Sequence, residues 1–392
     1  MFKSATFQSA FVTGVVLLAG LSTSAQVDPI RRNLIQIGYD QALVGQGPQA
    51  IYAYYYYNDP ELFNTNTALR MAVAPLYLDS ELGFKNLLSP TTDFGLGIYG
   101  GALADNYYDV SQGHYYKDQS FYGNSGGASL SIYQLLDPGM LIPVNLVARA
   151  GARYIAYEKS RKTADDFVLP DDQPITFVRT GIRIAGKEPR LEPDIGMELS
   201  FWYEHLWRPE AGTYGYAREN ELSSSTSLYW LYAGLNYRWT NINHQISFAV
   251  TAGGSEGTDP LNAWRLGGVL PLVSEFPLML PGYYYEELTA KSFVHFFAAY
   301  MLPLDHAQRW QLRFEAGAAR VNYVPGFEQP QAWQSGAGVG LAFTPQNKSC
   351  KIILRYGYGF QALRNGEPGA QSIGLLFQYD FEHRARQKRA QR

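Results

Sequence analysis

The sequence predicts an all-β protein: a 16-stranded antiparallel transmembrane β-barrel with an inward-folded external loop between strands 11 and 12. Three observations predict the barrel. Apolar and polar residues alternate with a period of two along short segments, the apolar parity of several segments carries aromatics at both ends, and short connections alternate with long ones.

The N-terminus sets the compartment. Lys3 precedes an apolar run from Phe11 to Leu21, and Thr23-Ser24-Ala25 ends the stretch before Gln26, so residues 1–25 read as a secretory signal peptide. The run is too short for a spanning helix, and no Cys follows the cleavage site to take a lipid anchor. Aromatics make up 15% of the chain and charged residues only 17%, below the roughly 25% usual in soluble domains. A net charge of -3 offers no basic surface for nucleic acid, and the single Cys350 cannot form an intrachain disulfide, so redox chemistry is not indicated. Residues 26–382 make either two soluble domains or one large closed sheet, and the periodicity decides between them.

In "SLYWLYAGLNYRWT" one parity reads Tyr229, Leu231, Ala233, Leu235, Tyr237, Trp239, while the other carries Gly234, Asn236 and Arg238. A lipid-facing strand between two interfacial girdles has this pattern. "RWQLRFEAGA" and "SIGLLFQYDF" sort the same way. Segments of this kind place strands at 33–42, 49–57, 67–76, 78–88, 91–102, 125–135, 143–157 and 174–186. The second half follows at 193–206, 226–239, 242–254, 291–302, 308–319, 333–343, 349–359 and 371–381. From strand 5 onward the long connections 103–124, 158–173, 207–225, 255–290, 320–332 and 360–370 alternate with short turns. An even strand number then leaves both termini in the periplasm of a diderm bacterium, with the barrel in its outer membrane. A secreted β-sandwich would share the alternation but neither the aromatic ends nor the alternating connections.

The longest external connection holds "EFPLMLPGYYYEELTAKS", Glu275 to Ser292, which alternates like neither strand nor helix. Arg265 with Gly267-Gly268, then Pro281-Gly282-Tyr283, then a strand ending "YMLPL", resembles the bacterial surface antigen family, the BamA/TamA-type barrels. The resemblance implies a 16-stranded barrel whose sixth external loop folds into the lumen and docks an Arg-Gly-aromatic tip on the wall. Here Pro281 stands where the tip arginine would be, so the family's salt bridge cannot form from that position. Gly282 and Tyr283 remain for a tight turn and an aromatic anchor. The inward acids Glu315 and Asp380 then need other partners, for which Arg265, Arg313 and Arg355 are the candidates, since a buried carboxylate without a partner is costly. The family's periplasmic POTRA modules find no place before strand 1, so a client-handling role would borrow its periplasmic arm from another subunit. A loop rich in Tyr and Pro suits a lumen plug, because Pro reduces the entropy lost on ordering. An external loop packed on its neighbours is the plainer alternative.

Other constellations carry less. "GNSGG" at 123–127 has the letters of a serine-protease nucleophile box without its His partner segment, and reads better as a Gly-rich hinge. His205 near Ser223, Ser224 and Ser225 admits a lipid hydrolase, or simply an interfacial residue beside Trp207. Arg149, Arg153, Arg179 and Arg183 make either an anion-selecting wall or an ion-pair lattice with Glu198, Glu204 and Glu315. His295 has no second ligand at metal spacing, so no metal and no cofactor are assigned. The tail after Phe381, residues 383–392, is basic and expected to be periplasmic.

By resemblance, the expected work is outer-membrane assembly, translocation or scaffolding. The seam between strands 1 and 16 is the expected weak edge, loosened by Gly38. The expected partners are outer-membrane lipid and periplasmic or outer-membrane assembly subunits, with no nucleic acid. A passive porin is the second reading and an outer-membrane lipid hydrolase the third.

Overall fold

The computed structural model describes residues 31–139, 142–186, 195–271 and 275–383. The signal peptide and most of the basic tail lie outside them. Sixteen strands form one closed antiparallel sheet. They are β1 (Arg32–Ala42), β2 (Ala50–Asp59), β3 (Thr67–Ala74), β4 (Tyr77–Ser89), β5 (Thr92–Ser111), β6 (His114–Leu135), β7 (Val144–Lys159) and β8 (Gln173–Ala185). Then follow β9 (Ile195–Trp207), β10 (Ser225–Arg238), β11 (Gln245–Glu256), β12 (Leu288–Pro303), β13 (Trp310–Tyr323), β14 (Trp333–Phe343), β15 (Cys350–Arg364) and β16 (Glu367–Asp380). Residues 67–88 do divide into two strands, joined by a two-residue turn at Pro75-Leu76.

The period-two pattern decides which way each residue faces. Ile37, Ile98, Phe201, Leu235, Phe314 and Leu375 are exposed on one parity, whereas Asp40, Glu81, Ser131, Arg183, Arg355 and Ser372 are buried on the other. In a closed barrel the buried parity is the inner wall, and the apolar parity meets lipid. Tyr203, Trp207, Tyr229 and Trp333 stand exposed at the long-loop end, and Tyr300, Trp310 and Phe381 at the short-turn end, as two aromatic girdles require.

Two expected loops are largely strand. Residues 103–124 continue β5 and β6 into a tall hairpin that turns at Gln112 (φ 49) and Gly113 (φ 75). Residues 360–370 likewise extend β15 and β16 to a turn at Asn365 (φ 54) and Gly366 (φ 86). Left-handed conformation at both central residues is the type I′ geometry that matches the strand twist. "GNSGG" is therefore strand interior in β6 and no hinge, although the β5–β6 register shifts nearby, between Gly101 and Asp105.

The expected weak seam is a regular ladder. β1 pairs with β16 without a break from Leu34–Asp380 to Ala42–Ser372. Gly38 serves packing instead, because any side chain there would collide with the Tyr52 ring on β2. The β2–β3 ladder is the short one, running only from Tyr55–Val73 to Asp59–Leu69.

Candidate functional site

The connection between β11 and β12 is built from its ends inward. Trp264–Leu266 forms a short strand on β12, pairing with Ala290 to Leu288. Gly267 and Gly268 then turn with φ 136 and 91, values that glycine tolerates and most side chains do not. The Gly267 amide donates to the Leu278 carbonyl at 3.0 Å and the Leu280 amide to the Gly268 carbonyl at 3.1 Å, so the segment doubles back on itself.

Its contacts fall on buried-parity residues. The tip, Pro281-Gly282-Tyr283, lies against β14 and β15, where a side chain at Gly336 would strike the Pro281 carbonyl and one at Gly282 the backbone of Gly359. Gly282 has φ 89, its amide donates to Ser372 Oγ at 3.0 Å, and the Tyr283 hydroxyl donates to Gln334 Oε1 at 2.8 Å. Leu266, Leu280, Tyr283 and Leu288 pack into one buried cluster with Phe293 and Val321. Val269 and Leu270 pack into another with Ile353 and Leu376. Each fully buried side chain of this size contributes roughly 1.5–3 kcal/mol. Asp40 on β1 accepts the amides of Val269 (2.7 Å) and Leu270 (3.3 Å), and His295 Nε2 donates to the Met279 carbonyl at 2.8 Å. His295 thus ties the wall to the backbone of the segment.

The missing tip arginine has a substitute on the wall. Arg364, near the end of β15, meets Glu287 with both guanidinium nitrogens, Nη1 to Oε1 at 2.8 Å and Nη2 to Oε2 at 2.9 Å. Its Cζ lies 3.4 Å from the centre of the Tyr284 ring, and Glu287 Oε2 also accepts the Tyr284 amide at 2.7 Å. Both side chains of the pair are 1% exposed. No spacing in the sequence joins residues so far apart, so this pair was not legible there.

The candidate partners sort unevenly. Arg313 Nε meets Glu315 Oε2 at 2.8 Å, and Arg355 lies 3.8 Å from the same oxygen while donating to the Val269 carbonyl at 3.1 Å. Arg265 joins neither acid. It donates to Thr289 Oγ1 at 2.7 Å and to the carbonyls of Pro260 and Tyr108, because its short strand holds it at the long-loop end. Asp380 is no wall partner either, since it ends β16 and accepts the His383 amide at 2.9 Å, capping the turn after the strand.

Across the barrel, the arginines of β7 and β8 form the ion-pair lattice. Arg149 meets Glu81 at 2.5 Å, Arg179 meets Glu204, and Arg183 meets Glu198 at 3.0 Å and also Glu275 of the long connection. The lattice takes Glu81 in place of the expected Glu315, because β4 and not β13 shares rows with β7. Phe276 reaches the same side, within 6.0 Å of the rings of Trp202 and Trp230. At the lipid-facing rim of the long-loop end, His205 has both ring nitrogens occupied by serine hydroxyls, Nδ1 by Ser227 at 2.8 Å and Nε2 by Ser225 at 3.0 Å. Its neighbour Glu204 turns the other way, to Arg179.

No family model and no curated protein matches the chain. Solved structures do match its fold. CdiB from Acinetobacter baumannii matches with TM-score 0.57 at 11% identity, over 89% of this chain and 60% of that one. CdiB from Escherichia coli gives 0.55 at 11% identity, over 90% and 63%. BamA from Haemophilus ducreyi lacking POTRA domains 1–3 gives 0.53 at 11% identity, over 88% and 70%. The chain thus spans about 60% of the length of the CdiB proteins it matches. At this identity the likeness establishes the architecture, a closed 16-stranded β-barrel of the bacterial outer-membrane type.

Proposed function

We propose that the chain is an outer-membrane barrel, both termini periplasmic, whose long β11–β12 connection is a lumen plug, and that it works as a subunit of an assembly, export or scaffolding complex. The observation that carries the reading is the dock of Pro281-Gly282-Tyr283 against glycines of β14 and β15, held by the Arg364–Glu287 pair. A plug bound this closely suits a barrel whose lumen is controlled rather than permanently open. The likeness to BamA and CdiB barrels supports the same reading. Gentle affinity purification of the tagged protein from its native outer membrane tests it. Stoichiometric periplasmic or POTRA-bearing subunits are expected, and recovery of the barrel alone would overturn the borrowed-arm role.

One observation favours a porin as the second reading. The side chains of Arg179 and Asp79 are 35% and 32% exposed on the inner wall, so that side of the barrel is not sealed. High, steady single-channel conductance from the intact protein would select it. Near-silence until residues 275–290 are deleted would select the plug.

A further inference from the structure

The tyrosine run "IYAYYYYND" of β2 meets a buried cluster of the plug at Tyr52, and it borders the β3–β7 wall, where Arg70 and Arg149 keep part of their side-chain surface accessible. Tyr52, Tyr54 and Tyr56 share the inner parity of β2, and the Tyr52 and Tyr54 rings stack with centroids 5.9 Å apart at 22°. Cross-strand register carries this row onward. Tyr56 pairs with Ala72, Ala72 with Asp79, Asp79 with Tyr99, Tyr99 with Gly127 and Gly127 with Arg153. The adjacent inner row reads Asn58, Arg70, Glu81, Gly97, Ser129, Gly151. Paired residues share a face, so these two rows form one surface. Ala72, Gly97 and Gly127 make its low floor, the Phe177 ring of β8 fills the space over Gly151 and packs against the edge of Tyr99, and Tyr56 and Tyr99 lie three strand spacings apart, roughly 14 Å.

The charges on this surface and the adjoining β8–β9 wall, taken together, cancel. Arg70 lies 3.5 Å from Asp79, Arg149 lies 2.5 Å from Glu81, and Arg179 pairs with Glu204. With Arg153, and with Arg183 between Glu198 and Glu275, five arginines stand against five carboxylates. A field so balanced does not select ions strongly, yet it presents many planar donors and acceptors to the lumen. Arg70 and Arg149 keep 21% and 25% of their side-chain surface accessible, whereas Arg355 and Arg364 on the plugged side keep 2% and 1%.

From these observations we infer that the inner face of β2–β7 is a binding surface for a neutral saccharide of two or three rings. A sugar ring offers one apolar face of C–H groups and a rim of vicinal hydroxyls. The apolar face stacks on Tyr56 and Tyr99, and the hydroxyls bridge the guanidinium and carboxylate edges of Arg70, Asp79 and Arg149. A simple ion leaves the tyrosines unused, and a purely apolar ligand leaves the paired charges desolvated. The inference goes beyond the proposed function and holds whether or not the barrel has protein partners.

The test is isothermal titration of maltotriose into the full-length barrel, refolded in a zwitterionic amine-oxide detergent because a maltoside would compete. Polyethylene glycol of equal mass and glycine serve as the neutral and zwitterionic comparisons. Maltotriose is expected to bind and the comparisons are not. Tyr56→Ala and Asp79→Asn are each expected to weaken binding about tenfold or more, about 1.4 kcal/mol at that factor. Tyr56→Phe retains the ring and should bind within about twofold of the native protein, which keeps the test decisive if Tyr56→Ala misfolds. Arg309→Ala, in the exposed turn between β12 and β13 and away from both the plug and the inner face, should leave the saccharide affinity intact. No heat with maltotriose, equal binding of glycine, or affinity indifferent to Asp79→Asn and Tyr56→Ala would each overturn the assignment.

Discussion

The two halves of the inner wall solve the same problem in opposite ways. From β13 through β16 to β1 the wall falls to Gly317, Gly336, Gly338, Gly357, Gly359 and Ser372 between its buried charged side chains, and a separate segment fills the space this leaves. From β3 to β9 the wall carries long side chains of its own, and arginine and carboxylate satisfy each other, across neighbouring strands for Arg70–Asp79, Arg179–Glu204 and Arg183–Glu198 and across β5 and β6 for Arg149–Glu81. The first arrangement buries nearly everything it touches. The second leaves its polar groups partly wet. An ion pair removed from water depends on its partner far more than an exposed one, so the plugged half is where single substitutions hurt most.

The largest effect is therefore expected from breaking the Arg364–Glu287 pair. Glu287→Ala leaves a guanidinium buried at 1% exposure without its carboxylate. Removing one partner of such a pair costs about 3–5 kcal/mol. Denaturant unfolding in micelles should show that loss, and bilayer recording should show more frequent openings. An Arg364→Met, Glu287→Leu double variant should recover most of the stability, because no charge is stranded. If the single variant unfolds like the native protein, the pair does not hold the segment.

Next comes the glycine dock. Gly282 has φ 89 and sits against the backbone of Tyr358 and Gly359, so Gly282→Val adds both strain and overlap. Strain and overpacking of this kind cost about 1–3 kcal/mol each. The tip should release while the barrel stays intact, which protease accessibility of the β11–β12 connection would report against unchanged heat-modifiable mobility. Equal protection of the variant and the native tip would sink the docking role. By the same contrast, Arg149→Gln should cost less than Glu287→Ala, since Glu81 keeps the Ser131 and Tyr133 hydroxyls as donors and the arginine side chain keeps 25% of its surface in solvent.

The contrast also explains what could be read in advance. Strand number, the two faces and the position of the long connection follow from period-two alternation and loop spacing, which are local. The tall β5–β6 hairpin was missed because "DNYYDVSQGHYYKDQ" leaves the lipid band and loses its alternation there, although Asn365-Gly366 and Gln112-Gly113 are turn signals of the kind that predict hairpins. Gly282 and Tyr283 were legible from their motif. Arg364 and Asp40 were not, because their partners are set by register and by the path of a segment without periodicity. The ion-pair lattice was one of two readings the inward arginines left open, and its member Glu81 was missed for lack of a register between β4 and β7.

The smallest predicted effect concerns the ionic contact that Glu275 of the segment makes with Arg183 on the wet half. Burial raises the Glu275 carboxyl, but Arg183 and then Arg179 more than reverse this, so its pKa lies below the ordinary glutamate value. A carboxylate depressed in the docked state stabilises docking above the undocked pKa, about 4.3, and loses that contribution as pH falls through the lower docked value. Glu286 runs the other way. Burial raises it, opposed by the Tyr285 hydroxyl and Arg265, so protonation favours docking as pH falls through a value above the ordinary one. The two together predict a response with two signs: the segment tightens on mild acidification and loosens below about pH 4. Glu286→Gln should remove the tightening and Glu275→Gln the release, each by less than about 1 kcal/mol because Glu275 keeps 36% of its side chain exposed and Glu286 is half-buried. Hydrogen exchange of residues 275–288 between pH 7 and pH 3 measures both, and an identical acid release in Glu275→Gln would show that the contact with Arg183 does not tie the plug to the open wall.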